Sequence, residues 1–167
     1  MCKMIRILFL ILILFLPNRT FALIEVDITR GNLNPLPVAV SPLSIDESSR
    51  QSFEKMLKKK NIGSEISKIV EYNLKTSGLF NPLNKNAFLQ EPDIANLKPR
   101  FEDWSLIKAQ ALITGKVNFI DGKLRVEFRL WDVLGGKEIM ALAFTTVPDN
   151  WRRVGHIITD KVYERLT

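Results

Sequence analysis

The feature that most constrains the fold is a strictly alternating stretch that follows a tight-turn signal. From residue 124 to residue 130 apolar side chains alternate with charged ones, in the order LRVEFRL. This period of 2 is typical of a β-strand with one buried face and one solvent-facing side. Asp121-Gly122 comes just before it, and this dipeptide favours the type I′ turn of a two-residue hairpin. We therefore predict a hairpin with strand 111–120 as the partner.

Two further strands are predicted from turn signals. Gly135-Gly136 turns the chain into a third strand over 138–145, which makes a three-stranded antiparallel meander with the hairpin. Near the other end, residues 37–40 form a short apolar run bounded by prolines. Because proline cannot donate to a neighbouring strand, we expect this run to be an edge strand or the first strand.

Two main helices are predicted from apolar side chains at helical spacing. One spans 64–77, with Ser64 as its amino-terminal cap and Gly78 just beyond its end in the left-handed conformation. The other spans 151–165 and starts after Pro148-Asp149-Asn150. The apolar stripes are Ile66, Ile69, Val70 and Leu74 in the first helix, and Trp151, Val154, Ile158 and Val162 in the second.

Together these elements predict the mixed α/β, or α+β, class. We expect a single two-layer domain: a mixed sheet with a carboxy-terminal antiparallel meander, covered by the two main helices. The Lys-rich stretch 44–61 is expected to be largely loop-like, with a short surface helix around Phe53. The stretch 84–99 is expected to be a loop, and a short helix is expected around Trp104.

The first 22 residues have the pattern of an export signal. Lys3 and Arg6 precede ten apolar residues at 7–16, and Thr20-Phe21-Ala22 places small side chains at the −3 and −1 positions of a cleavage site. The apolar run is too short to cross a bilayer core of about 30 Å. We expect cleavage after Ala22 and no transmembrane segment in the mature chain; an uncleaved signal anchor is the alternative. The expected divisions are a signal peptide (1–22), an arm (23–34) and a domain (35–167).

Charge and residue content argue against several functions. Removing residues 1–22 takes away three basic residues and no acid, which lowers the formal net charge from +6 to +3. This mixed charge does not favour a nucleic-acid partner. The only cysteine, Cys2, lies in the signal, and His156 is the only histidine. We therefore expect no disulfide, no metal and no cofactor.

No catalytic constellation stands out in the sequence. There is no G-x-S-x-G nucleophile motif and no glycine-rich phosphate loop. His156 is interpreted as a packing or surface residue in the last helix. Asp46-Glu47 and Glu102-Asp103 are interpreted as helix-start charges. We expect no enzyme and no catalytic residue.

Several stretches in register point to a known family. Residues 74–83, LKTSGLFNPL, resemble the helix end and turn of the amino-terminal domain of TolB, from the periplasmic part of the Tol–Pal envelope system. Four further stretches agree in order and spacing, and the likeness covers residues 23–167. They are Pro37 to Pro42, Trp104, the run 112–117, and the closing run from Trp151 with Asp160 and residues 164–167.

The resemblance implies a non-catalytic periplasmic component that supports outer-membrane integrity and invagination during cell division. In that family the residues after signal cleavage bind the carboxy-terminal domain of TolA as an added strand. The matching positions here are Leu23, Ile24, Glu25, Val26, Asp27 and Ile28. Their alternation of apolar and acidic side chains suits strand addition to a sheet edge. From the residues alone, an internally paired first strand is the alternative.

Family members continue into a six-bladed β-propeller that docks the lipoprotein Pal, and the chain is expected to lack this propeller. Pal binding is therefore not expected of residues 23–167. A rival hypothesis is a periplasmic domain that binds a ligand or a cell-wall component through a sheet face or cleft, which a concave aromatic-lined pocket would favour.

Overall fold

A computed structural model describes residues 34–59 and 61–167. The predicted signal 1–22, and the predicted arm except for Asn34, lie outside the described residues. The strands are β1 (Leu36–Val40), β2 (Ser44–Ile45), β3 (Phe80–Pro82), β4 (Ala111–Ile120), β5 (Lys123–Asp132) and β6 (Lys137–Thr146). The helices are α1 (Glu47–Leu57), α2 (Ile62–Thr76), α3 (Pro92–Leu97), α4 (Phe101–Leu106) and α5 (Trp151–Leu166). Short 3₁₀ turns cover Lys85–Ala87 and Pro148–Asn150.

Six strands of the described part form one mixed sheet, in the order β3-β1-β4-β5-β6, with β2 also pairing with β4. The pairs β1–β3, β1–β4 and β2–β4 are parallel. The pairs β4–β5 and β5–β6 are antiparallel and form the predicted meander. The predicted α+β class is therefore confirmed.

The hairpin between β4 and β5 forms as the sequence predicts. Asp121 and Gly122 have φ angles of 50° and 73°, which is the left-handed pair that a type I′ turn requires. The register runs without a break from Ala111 opposite Asp132 to Ile120 opposite Lys123. The apolar members of the alternating stretch are buried: Leu124, Val126, Phe128 and Leu130.

The short apolar strand β1 is the first of the described strands but not an edge strand. It lies between β3 and β4. The prediction of an edge strand is therefore wrong. The sequence did not reveal this neighbour, because β3 has only three residues and is too short to show a periodic pattern. Pro37 is tolerated near the start of the strand, where its carbonyl oxygen still accepts a hydrogen bond from Gln110 N at 3.0 Å.

Helix α2 has the predicted apolar stripe but a different cap. It begins at Ile62, and the side chain of Asn61 accepts a hydrogen bond from Ser64 N at 3.0 Å. Ser64 is therefore a third-position residue rather than the cap that we predicted. The predicted helix end is confirmed, since Gly78 has a φ of 75°.

Helix α1 is longer and more deeply packed than a surface helix in a loop-like stretch. It covers eleven residues. Phe53 is fully buried and makes an edge-to-face contact with Phe119, with ring centroids 5.4 Å apart. Because the residues around Phe53 are mostly polar, the sequence predicted only a short surface helix here.

The main core lies between the sheet and helices α2 and α5. The predicted helix stripes are buried there, apart from the half-buried Ile69. The two helices cross closely at Gly155, where an added Cβ would come within 2.9 Å of Ile69 Cγ2. No helix among the described residues is long and apolar enough to span a membrane.

Helices α3 and α4 cover part of the opposite face of the sheet. Trp104 packs there with Ala39 and Leu112 in a second apolar cluster. The predicted loop 84–99 is therefore partly wrong, since it contains a 3₁₀ turn and α3. Gln90 connects this segment to the cluster, because its Oε1 accepts hydrogen bonds from Trp104 Nε1 and Arg100 N, both at 2.8 Å.

Candidate functional site

The predicted partner-binding residues, 23–28, lie outside the described residues. The first described residue is Asn34, two positions before β1 begins. Leu36 N donates to Leu79 O at 2.9 Å, and Leu36 lies opposite Phe80 in the parallel pair. The chain that follows the arm therefore enters the domain between β3 and β4. The role of residues 23–28 stays a prediction.

The three tryptophans do not form an aromatic platform in the described part of the molecule. Trp104 is 1% exposed inside the second cluster. Trp131 is half-buried and donates its Nε1–H to Thr114 Oγ1 at 2.8 Å. Trp151 lies by a groove of about 390 Å³ between α2 and α5. It is 5% exposed, and the Arg152 guanidinium lies 4.3 Å from its ring centroid. These environments do not favour carbohydrate stacking.

His156 stands on the exposed side of α5 and helps to connect the two main helices. Its Nδ1 lies 2.8 Å from Nδ2 of Asn73 on α2. Because an amide nitrogen only donates, Nδ1 accepts this hydrogen bond. The contact agrees with the predicted packing or surface role.

The predicted helix-start carboxylates cap and pair locally. Asp46 accepts hydrogen bonds from Ser48 Oγ at 2.6 Å and from Ser49 N at 2.8 Å. These bonds, the Ser48 bond first, lower the pKa of Asp46 to about 2. Asp103 lies in the first turn of α4, and its Oδ2 is 2.6 Å from Arg100 Nη2. Both carboxylates have structural roles.

No group of three or more potential metal ligands occurs among residues 34–59 and 61–167. An open cavity of about 570 Å³ lies beside the β5–β6 turn. It is lined by Phe101, Leu106, Val133 and Leu134, and by the polar side chains of Glu102 and Ser105. This open, mostly apolar surface is more typical of a protein-contact site than of a catalytic site.

One surface that sequence analysis missed is the outer edge of β6. In the described residues, β6 pairs only with β5. A groove of about 340 Å³ separates this strand from α5. Its lining comprises Ala143, Phe144, Thr145, Thr146, Asn150, Arg153, Val154 and Ile157. The available signal was the eight-residue uncharged run 139–146, with no strand after it.

Comparisons with known proteins agree with this architecture. A solved structure of TolB from Acinetobacter baumannii matches with a TM-score of 0.61 and 19% identity, covering 87% of this chain and 31% of that one. This likeness shows the fold. The Tol-Pal system protein TolB of Pelagibacter ubique (strain HTCC1062) is 77% identical over 164 residues. That alignment covers 98% of this chain and 36% of the relative, so the chain spans about a third of the relative's length.

The family described as the TolB amino-terminal domain matches residues 24–139, well over half of the chain. That range includes β1 to β5, both helices that cover the second cluster, and the hairpin. The match, the high identity to the Pelagibacter protein and the shared fold all agree. The chain therefore belongs to the TolB amino-terminal domain family.

Proposed function

We propose that this chain is a non-catalytic periplasmic component of the Tol–Pal system that binds TolA through its amino-terminal arm. In this role it supports outer-membrane integrity and invagination during cell division. The observation that carries the proposal is family membership, with a family match that begins at residue 24, inside the arm.

The arm has the chemistry that strand addition needs. Ile24, Val26 and Ile28 share one face of an extended chain, and Glu25 and Asp27 share the other. Main-chain hydrogen bonds to a sheet edge supply affinity, and alternate side chains supply selection. The carboxy-terminal domain of TolA is the proposed recipient.

The spacing between the arm and the folded domain permits this contact. Residues 29–35 separate Ile28 from the start of β1. Seven extended residues span at most about 25 Å. A partner can therefore pair with residues 23–28 while β1 keeps both of its neighbours in the sheet.

Export and processing belong to the same proposal. Residues 1–22 are removed after Ala22 and the mature chain starts at Leu23 in the periplasm, where the arm 23–34 precedes the domain 35–167. The intact mass of protein from a periplasmic extract tests this directly. A mass that begins at Leu23 is expected; a mass that retains the signal contradicts it. We assign no Pal contact to residues 23–167, because the family resemblance gives that contact to the propeller.

The test of TolA binding is a calorimetric titration of purified TolA carboxy-terminal domain into residues 23–167 and into residues 32–167. We expect binding by the first and loss of binding by the second. Equal affinity for both would refute the arm's role. Circular dichroism of both proteins establishes that the shorter one is folded.

Two composite variants separate the two faces of the arm. Replacing Ile24, Val26 and Ile28 by serine removes the apolar face, and we expect it to abolish binding. Replacing Glu25 and Asp27 by serine preserves that face and serves as the matched control, with a smaller, salt-dependent loss. The opposite ranking would show that charge rather than strand pairing drives the contact.

A further inference from the structure

We propose that the outer edge of β6 and the groove beside it form a second docking site, which takes an extended segment of a partner protein with apolar side chains and one acidic side chain. We call this surface the β6 groove; it consists of strand residues 139–146 and the α5 side chains Arg153, Val154 and Ile157. It is separate from the arm.

Within residues 34–59 and 61–167, the edge itself lacks the protection that natural sheets normally carry. Exposed edge strands are usually short or protected by charge, proline or a bulge, because their unpaired N–H and C=O groups attract another strand. In β6 these devices occur only at the start: Lys137, Glu138 and a register shift opposite Leu130 and Trp131. The remaining eight residues, 139–146, contain neither a charge nor a proline. A long, unprotected edge is explained if a strand pairs with it.

One face of β6 is apolar and incompletely covered. Met140, Leu142 and Phe144 lie opposite Leu130, Phe128 and Val126 of β5, so they share the core face of the sheet. Helix α5 packs against α2 and β5. Leu142 remains 37% exposed, and Phe144 lines the open groove. A strand added at about 4.8 Å from β6 would place alternate side chains over this groove.

The other face of β6 imposes little selection. Its residues beyond the bulge are small: Ala141, Ala143 and Thr145. The nearest arginines on β5 are already paired, Arg125 with Glu127 and Arg129 with Glu138. Recognition of the added strand therefore depends on the groove side.

Charge on the groove side identifies the partner's chemistry. Arg153 lines the groove, no acidic side chain lines it, and Arg153 forms no ion pair with the described residues. An acidic side chain on the same face of the added strand as its apolar ones would pair with it. A second copy of β6 does not offer this group, because its residues 139–146 are uncharged and its one acidic residue, Glu138, is already paired with Arg129. If residues 23–28 were extended, their acidic residues Glu25 and Asp27 would face the side opposite to the apolar ones.

The probes are two synthetic peptides, acetyl-TVTVTET-amide and its reversed sequence acetyl-TETVTVT-amide, which cover both strand directions. Each is titrated into isotope-labelled residues 23–167 while backbone amide shifts are recorded. We expect one of them to shift the backbone amide signals of residues 139–146 in β6 and of residues 150–157 at the start of α5 and just before it. Absence of shifts with both peptides, or shifts confined to other elements, would overturn the proposal. Concentration-dependent shifts of β6 without peptide would show self-pairing and would equally overturn it.

A matched pair of charge reversals tests the role of Arg153. Arg153→Glu should weaken peptide binding about fivefold, as expected for an exposed ion pair replaced by repulsion. Arg152→Glu is the control, because this neighbour stacks on Trp151 and lies away from the β6 groove. A peptide with lysine in place of its glutamate should bind Arg153→Glu more tightly than it binds the unchanged protein. Equal weakening by both variants would refute the assignment of the acidic partner.

Discussion

Gly63→Ala should destabilise the domain, although alanine is normally the better helix residue. Gly63 is the second residue of α2 and is buried against the turn that leads into β2. An added Cβ would overlap the carbonyl oxygen of Leu43, which is backbone and cannot rotate away. The same turn is held by a hydrogen bond from Leu43 N to the buried Ser67 Oγ at 2.9 Å. Relieving the overlap by moving α2 stretches this bond.

The magnitude follows from three opposing contributions. Alanine in place of glycine favours the helix by about 1 kcal/mol. Overpacking costs about 1–3 kcal/mol, and weakening the buried hydrogen bond costs about 1 kcal/mol more. We therefore expect the free energy of unfolding to fall by about 2 kcal/mol.

Urea unfolding of residues 23–167, followed by circular dichroism, measures this change. With a slope of about 2 kcal/mol per molar urea, the midpoint should fall by about 1 M. Ser64→Ala is the matched control, since it makes an alanine one residue further along the same helix without this overlap. Unchanged or increased stability of Gly63→Ala would refute the close approach of α2 to Leu43.

Two other changes test local details of the fold. Asn61→Ala should lower the free energy of unfolding by about 1 kcal/mol, because it removes the cap of α2. Ser64→Ala should leave the free energy of unfolding nearly unchanged. If urea unfolding gave the reverse ranking, Ser64 would be the cap. Asp46 has a folded pKa of about 2, below its ordinary value of 3.8, so its contribution to stability is present above about pH 4 and is lost as the pH falls toward 2. Asp46→Ala should therefore reduce stability at neutral pH and flatten the dependence on pH between 4 and 2; an unchanged acid profile in thermal melts would contradict this.

Local sequence signals predicted the meander and the apolar faces of the main helices. A type I′ turn requires two left-handed residues in succession, and the dipeptide Asp121-Gly122 is one of the few that adopt this conformation readily. The period of 2 in β5 and the stripe of α5 are each contained in one stretch of chain. Such features need no knowledge of the neighbours in space.

Features that depend on distant residues were not predictable in the same way. The role of Gln90 could not be predicted, because it depends on hydrogen bonds from Trp104 and Arg100, which lie ten or more residues away in the sequence. Asn61 and Ser64 are both good caps, and only the structure shows that α2 begins after Asn61, with Gly63 close to Leu43. Of the candidate sites, the arm was predicted from the family resemblance. The β6 groove required knowledge of which strand stays unpaired.

Proline substitution in the arm tests the proposed recruitment of TolA through main-chain hydrogen bonds. Neighbouring N–H groups of an extended strand point to opposite sides, so either Val26→Pro or Asp27→Pro removes a donor that faces the partner. We measure the affinity of each variant of residues 23–167 for the TolA carboxy-terminal domain by calorimetry, with Val26→Thr as the control that keeps the donor. We expect at least one proline variant to lose about tenfold or more in affinity while Val26→Thr still binds. Undiminished affinity in both proline variants would contradict it.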